Sequence, residues 1–171
     1  MKSLWLILNL AAMLTSALSN ASAEEVKGYP SPDGRFLAQV VRLPNAPYGS
    51  GESRIVLRST KGRIVCSKDY SSEDGEHGYG VEKAAWTPDS KFFVFSLSSS
   101  GGHSAWHSPI GFVSSQQGKA YSLDDLVGPI TDPDFEVAPP DVVRATGQKK
   151  TNLTEETHFE VRLSRIIRQR K

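Results

Sequence analysis

A single cysteine, Cys66, stands in a chain of 171 residues, so no intramolecular disulfide can brace the fold. Cys66 falls inside an apolar strand pattern, which points to a buried, inert thiol rather than a reactive one. Charge of either sign is in no excess. Twenty Lys and Arg against nineteen Asp and Glu leave a formal net charge of +1, too weak a field to draw the chain to nucleic acid or to a membrane surface. A bilayer-length apolar run is missing as well. The longest stretch, Leu4 to Leu18, is diluted by Asn9, Thr15 and Ser16 and falls short of the roughly 20 apolar residues that a crossing needs.

What that stretch fits is an export leader. Lys2 gives a short positive start, the apolar stretch follows, and Ala21-Ser22-Ala23 places small residues at the positions a signal peptidase reads. Cleavage is expected after Ala23. Glu24 follows, not cysteine, so no lipid anchor is expected. The expected mature chain, 24–171, has the length of one domain with its own core, in the periplasm or outside the cell, with no transmembrane segment after cleavage. Without disulfides it must rely on that core.

The organising feature is an internal repeat. Ser31-Pro32-Asp33-Gly34-Arg35-Phe36-Leu37-Ala38 returns 56 residues later as Thr87-Pro88-Asp89-Ser90-Lys91-Phe92-Phe93-Val94. The same offset, with no gap, carries Ile55–Val65 onto Gly111–Tyr121, and Lys27, Pro32, Asp33, Phe36, Ser59, Gly62 and Asp69 are identical in both copies. Two separate motifs keep register across a long loop, which a chance likeness rarely does. Each has a mechanism. Proline presets φ at the second turn position, and aspartate and glycine suit the positions after it. The turn feeds a strand, 35–43 in the first copy. Its counterpart begins with the unbroken apolar run Phe92-Phe93-Val94-Phe95, the mark of a strand covered on both faces. A hairpin follows: 54–59 and 63–67 flank Thr60-Lys61-Gly62-Arg63, with Gly62 free to take positive φ, and Gln116-Gln117-Gly118-Lys119 repeats the turn.

A strand entered through (Ser/Thr)-Pro-Asp-(Gly/Ser)-(Lys/Arg), preceded by an aromatic such as Trp86 and followed by a hairpin turning on Gly62-Arg63 or Gly118-Lys119, resembles the blade repeat of TolB-like and WD-repeat β-propellers. The resemblance covers residues 26–126 and implies blade-type sheets. It implies little about function, because propellers host unrelated activities. A closed propeller has about four to eight blades, whereas two copies are legible here and the next 56-residue step, at Val143-Arg144-Ala145, shows no third. The expected fold is therefore all-β: two antiparallel blade-like sheets related by the repeat, sandwich-like or an incomplete propeller. Repeat one spans 26–81, repeat two 82–137, and a C-terminal strand with a basic tail 138–171. His158 to Leu163 alternates on a period of two and reads as a strand that covers a sheet edge. The proline- and acid-rich stretch 124–141 reads as a semi-rigid connector, and Arg162, Arg165, Arg168, Arg170 and Lys171 as a charged, frayed end.

Two loops carry the candidate chemistry. In 69–80, Glu73, Asp74, Glu76 and His77 could offer oxygen and nitrogen ligands to a metal, though the spacing matches no established calcium loop. In 98–108, Gly102-His103-Ser104-Ala105 resembles the start of an esterase nucleophile elbow, but Trp106 stands where the second glycine belongs and no strand-to-helix turn is expected. His103 and His107 are four apart, a spacing that gathers ligands on a helix and not in an extended loop. Trp106, His103 and His107 fit a recognition surface on a glycine platform better, with Tyr48 in the corresponding connection of the first repeat. The alternative to contact is that Trp106 and Tyr48 cap the core. The expected function is non-catalytic binding of another protein or a small ligand, with no nucleic acid and no cofactor. The rival is a metal-dependent or other hydrolase using the loop histidines and carboxylates.

Overall fold

The computed structural model describes residues 24–43, 51–101 and 106–169. It is all-β, and its antiparallel sheets are open rather than closed into a barrel. The first sheet is a meander of β1 (Glu25–Pro30), β2 (Phe36–Arg42), β3 (Ser53–Ser59) and β4 (Ile64–Asp69). The second repeats it in β5 (Tyr79–Trp86), β6 (Phe92–Ser99), β7 (Ile110–Ser114) and β8 (Lys119–Ser122).

The two proline-aspartate turns match bond for bond. In the first, the Ser31 hydroxyl donates to Asp33 Oδ1 (2.7 Å), as does the Arg35 amide (3.0 Å), and the Phe36 amide donates back to Ser31 Oγ (3.0 Å). In the second, the Thr87 hydroxyl and the Lys91 amide donate to Asp89 Oδ1 (2.8 and 3.1 Å), and the Phe92 amide donates to Thr87 Oγ1 (3.1 Å). The basic fifth residue closes each turn, Arg35 on Asp33 at 2.7 Å and Lys91 on Asp89 at 2.9 Å. The fourth position needs positive φ, +69° at Gly34 and +59° at Ser90. These contacts explain the motif: a hydroxyl, an aspartate and a cation at fixed spacing satisfy the turn's own polar groups.

A third sheet follows where a connector and one strand were expected. Its order is β11 (Asn152–Arg162), β10 (Val142–Lys149), β9 (Ile130–Ala138). Residues 124–141 are thus not a connector: they hold a four-residue helix, α1 (Asp124–Val127), and β9. The reason is local. The β9–β10 register slips between Phe135 opposite Ala145 and Ile130 opposite Gly147, so Pro133 sits in the slipped stretch of an edge strand, where its missing N–H costs no ladder bond. The strand expected over 158–163 is longer and pairs with β10 instead of covering a repeat edge. The basic end is also not merely frayed, since α2 (Leu163–Gln169) buries Leu163 and Ile166.

The sheets lie in series. Ala38, Val40, Ile55 and Leu57 of the first pack against Phe93, Phe95, Leu97 and Val113 of the second. Phe92, Val94 and Phe112, on the opposite face of that second sheet, pack with Phe135, Val143, Leu163 and Ile166. The middle sheet therefore carries core on both faces. Between sheets the turns are stitched together: the Asp33 amide donates to Ser90 Oγ (3.0 Å), and the Asp89 amide reaches the carbonyl of Pro140 (3.4 Å). Trp86 adds a bond from its indole N–H to the Tyr29 carbonyl (2.9 Å) while its ring packs on Phe36 and Phe93. No helix of the described residues is long and apolar enough to cross a membrane.

Candidate functional site

The outer strands of the first two sheets, β4 and β8, define a cleft. At one end they touch: a β-carbon on Gly118, which sits at φ +63°, would lie 2.6 Å from the Val65 carbonyl oxygen. Farther along they diverge and leave a cavity of about 470 Å³ lined by Lys68, Tyr70, Tyr79, Leu97, His107 and Ser122 among others. Glycine at 111 makes room for its inner wall, because a β-carbon there would lie 2.5 Å from the Phe95 ring and 3.2 Å from the Tyr70 hydroxyl. Tyr70 packs edge-on to Phe95, with the Lys68 ammonium 5.6 Å from its ring centre. Burial, with a smaller push from Cys66, drives the Tyr70 hydroxyl well above the ordinary phenol range. Burial also raises the Cys66 thiol, although the residue is half-buried and not the fully buried cysteine that its apolar strand pattern suggested.

At the cleft, His107 Nε2 lies 2.8 Å from Asp124 Oδ1. Asp124 is also a brace: Oδ2 accepts the Ile110 amide (3.0 Å) and Oδ1 the Ile130 amide (3.1 Å). Beside it Trp106 stacks on His107, ring centres 5.2 Å apart, and is 57% exposed. It does not cap the core. Tyr48 and His103 lie outside the described residues, as does the whole of the elbow-like run 102–105.

The acidic loop between β4 and β5 closes on itself. Asp74 Oδ2 pairs with His77 Nδ1 at 2.5 Å, and Oδ1 accepts the Glu76 amide and shares, at 2.9 Å, the one proton of the Ser72 hydroxyl with Glu52. Led by the Glu76 amide, these partners hold the Asp74 carboxyl far below its ordinary range. Among the described residues no three or more His, Cys, Asp or Glu side chains gather to hold a metal. The structure brings His107 together with Trp106, and His77 with Asp74, in separate loops.

Glu52, which no sequence pattern singled out, dominates this region. It is 3% exposed and accepts the Ser72 amide and hydroxyl (2.7 Å each), the Gly78 amide (2.6 Å) and the Ser100 hydroxyl (2.8 Å). Burial raises its carboxyl, but these donors outweigh the burial and the net direction is down. The only hint in the sequence was the run of glycines around it: a β-carbon on Gly78 would collide with Glu52, and one on Gly80 would lie 2.9 Å from the Gly51 oxygen.

A second groove, of about 550 Å³, lies by the third sheet and is lined by Lys83, Asp134, Glu136, Arg144, His158 and Glu160 among others. Its charges are largely spent on each other, in Lys83–Asp134, Arg144–Glu136 and Arg144–Glu160 pairs. No protein-family model matches the chain, and no curated protein is significantly similar to it in sequence.

Proposed function

We propose that this chain is an exported, non-catalytic binding module. Three blade-like sheets form a rigid frame, and the cleft between β4 and β8, with Trp106 and His107 at its mouth, receives a ligand. The observation that carries the reading is the exposed indole of Trp106 stacked on a histidine that lines a cleft of small-molecule size. Large exposed aromatics beside concave, mostly preformed clefts are where binding energy concentrates. The meander of each repeat and its shared turn chemistry support the blade-repeat likeness, with a scaffold that presents loops rather than one that closes a ring.

The rival hydrolase would draw on the His107–Asp124 pair. That pair has a structural explanation, since Asp124 holds the start of β7 and of β9 through two amides. The test uses secreted protein, whose N-terminus is expected at Glu24. Trp86 is buried and Trp106 exposed, so ligand entry should shift the emission of Trp106, and Trp106→Ala should erase the response while leaving the melt unchanged. Turnover of p-nitrophenyl esters that vanishes in His107→Ala would overturn the reading.

A further inference from the structure

The hydrogen-bonding groups of the cleft are unequally spent. Its best-placed carboxylate, Asp124, already accepts from His107 and two backbone amides. Asp125 stands at the rim, its carbonyl taking the Lys150 ammonium. The donors are the groups left over. Lys68 makes no ion pair with a described carboxylate and rests over the Tyr70 ring. No hydrogen bond from the Tyr70 or Ser122 hydroxyl reaches a described residue, and both line the cavity. Register places Lys68 opposite Ile55 and Cys66 opposite Leu57, so Lys68 shares the face of its sheet that turns toward the second sheet. The same cavity is lined by the apolar surfaces of Tyr79, Leu97 and Pro109.

From this asymmetry we propose that the cleft takes a small carboxylate with a flat apolar body, the carboxylate received by Lys68 and the Tyr70 hydroxyl and the body lying along Tyr79 and Leu97 toward Trp106. This rests on the reading of the cleft as the binding site and adds its ligand class. A carboxylate accepts from both ammonium and phenol, and such charge-assisted bonds are about twice as strong as neutral ones. Because Tyr70 keeps its proton far into alkaline pH, it remains a donor to such an anion. Gly111 is what lets the hydroxyl sit there, since any side chain at that position would meet the Phe95 ring.

The experiment titrates 3-phenylpropionate and indole-3-acetate, and beside them their primary amides, into the secreted, isotope-labelled chain while backbone amide shifts are followed. Expected are saturable shifts at Gly111, Ser122 and Tyr70 for the acids, with the amides at least ten-fold weaker. Lys68→Gln should remove most of that difference, and Tyr70→Phe, which keeps the ring, should weaken the acids several-fold. Lys68 is exposed, so its variant is expected to melt with the parent. Equal binding of acids and amides would overturn the ligand class and leave the cleft as a binding site. No shift at these residues from any probe would overturn both.

Discussion

Replacing Glu52 tests the architecture where it is most concentrated. Its carboxylate lies just before β3 and accepts from the link between the first two sheets, at Ser72 and Gly78, and from the end of β6, at Ser100. Glu52→Ala strands two backbone amides with fixed direction, those of Ser72 and Gly78, while the two hydroxyls can turn to other partners. Hydrogen bonds to a charged group are each worth about 1.5–3 kcal/mol, so the two amides alone set a loss of about 3–5 kcal/mol once some water enters the vacated space. For a chain of this size that corresponds to a drop of roughly 6–20 °C in melting temperature. Glu52→Gln is gentler. With its oxygen at the Oε1 position it keeps three of the four bonds, but its NH₂ then faces the Ser72 amide, donor against donor, at a cost of about 1–3 kcal/mol. Calorimetry on both variants checks the order. A Glu52→Ala melt within about 2 °C of the parent would refute the reasoning, because it would mean that the buried carboxylate is not what joins the sheets.

Gly62 and Gly118 hold equivalent hairpin positions at φ +81° and +63°, but only Gly118 faces a neighbour, the Val65 carbonyl; both alanine variants should lose about 1–2 kcal/mol to the left-handed backbone, with Gly118→Ala losing measurably more in urea titrations. Acid should destabilise the protein along a definite limb. The Arg35 amide above all holds the Asp33 carboxyl down to about 2, and Glu52, Asp69, Asp74 and Asp89 are lowered too; groups depressed on folding stabilise above their ordinary values near 4 and lose that contribution as pH falls through the folded ones, so the melting temperature should fall below about pH 4, less steeply in Glu52→Gln. Trp106→Ala should leave the melting temperature within about 1–2 °C of the parent, because substitutions at exposed positions away from special contacts usually cost under about 0.5 kcal/mol; a fall of 6 °C or more would make Trp106 a packing residue.

The repeat was legible because its chemistry is local. Asp33 and Asp89 each bond a residue two before and a residue two after, and the Phe36 and Phe92 amides close the turns, so the entire device lies within six consecutive positions and shows in the sequence as a motif. Glu52 was not legible because its partners are 20, 26 and 48 residues away, and nothing in the identity of Ser72, Gly78 or Ser100 announces an acceptor. Asp124 escaped for the same reason, and its part is analogous: what Glu52 does between the first and second sheets, Asp124 does between the second and third through the Ile110 and Ile130 amides. His107 and Trp106 stood out as residue types, but the cleft beside them depends on the approach of β4 to β8, which no local pattern records.

The third sheet was hidden by a turn of different length, and its presence could still have been argued from the second repeat. Pro32, Pro88 and Pro140 each precede an aspartate, but the last step is 52 residues rather than 56. The turn between β9 and β10 also closes directly from Ala138 to Val142, so a search at fixed offset passes it by. Asp141 has moved to another task, accepting the Arg162 guanidinium (3.1 Å) and the amide of Ser164 (3.1 Å) at the start of α2. The apolar pattern, however, is not shifted. β2 sets Ala38 and Val40 toward the second sheet, while Gln39 sits between Leu37 and Val41 on its other face. β10 likewise sets Val143 and Ala145 inward and Arg144 outward. Only β6 is apolar at every position from Phe92 to Phe95, and all four are at most 1% exposed. A four-residue run of that kind in an antiparallel sheet demands cover on both sides, and the first repeat supplies one side only. The other cover had to come from the remainder of the chain, and a single strand at 158–163 is too narrow to hide Phe92, Val94 and Phe112 together.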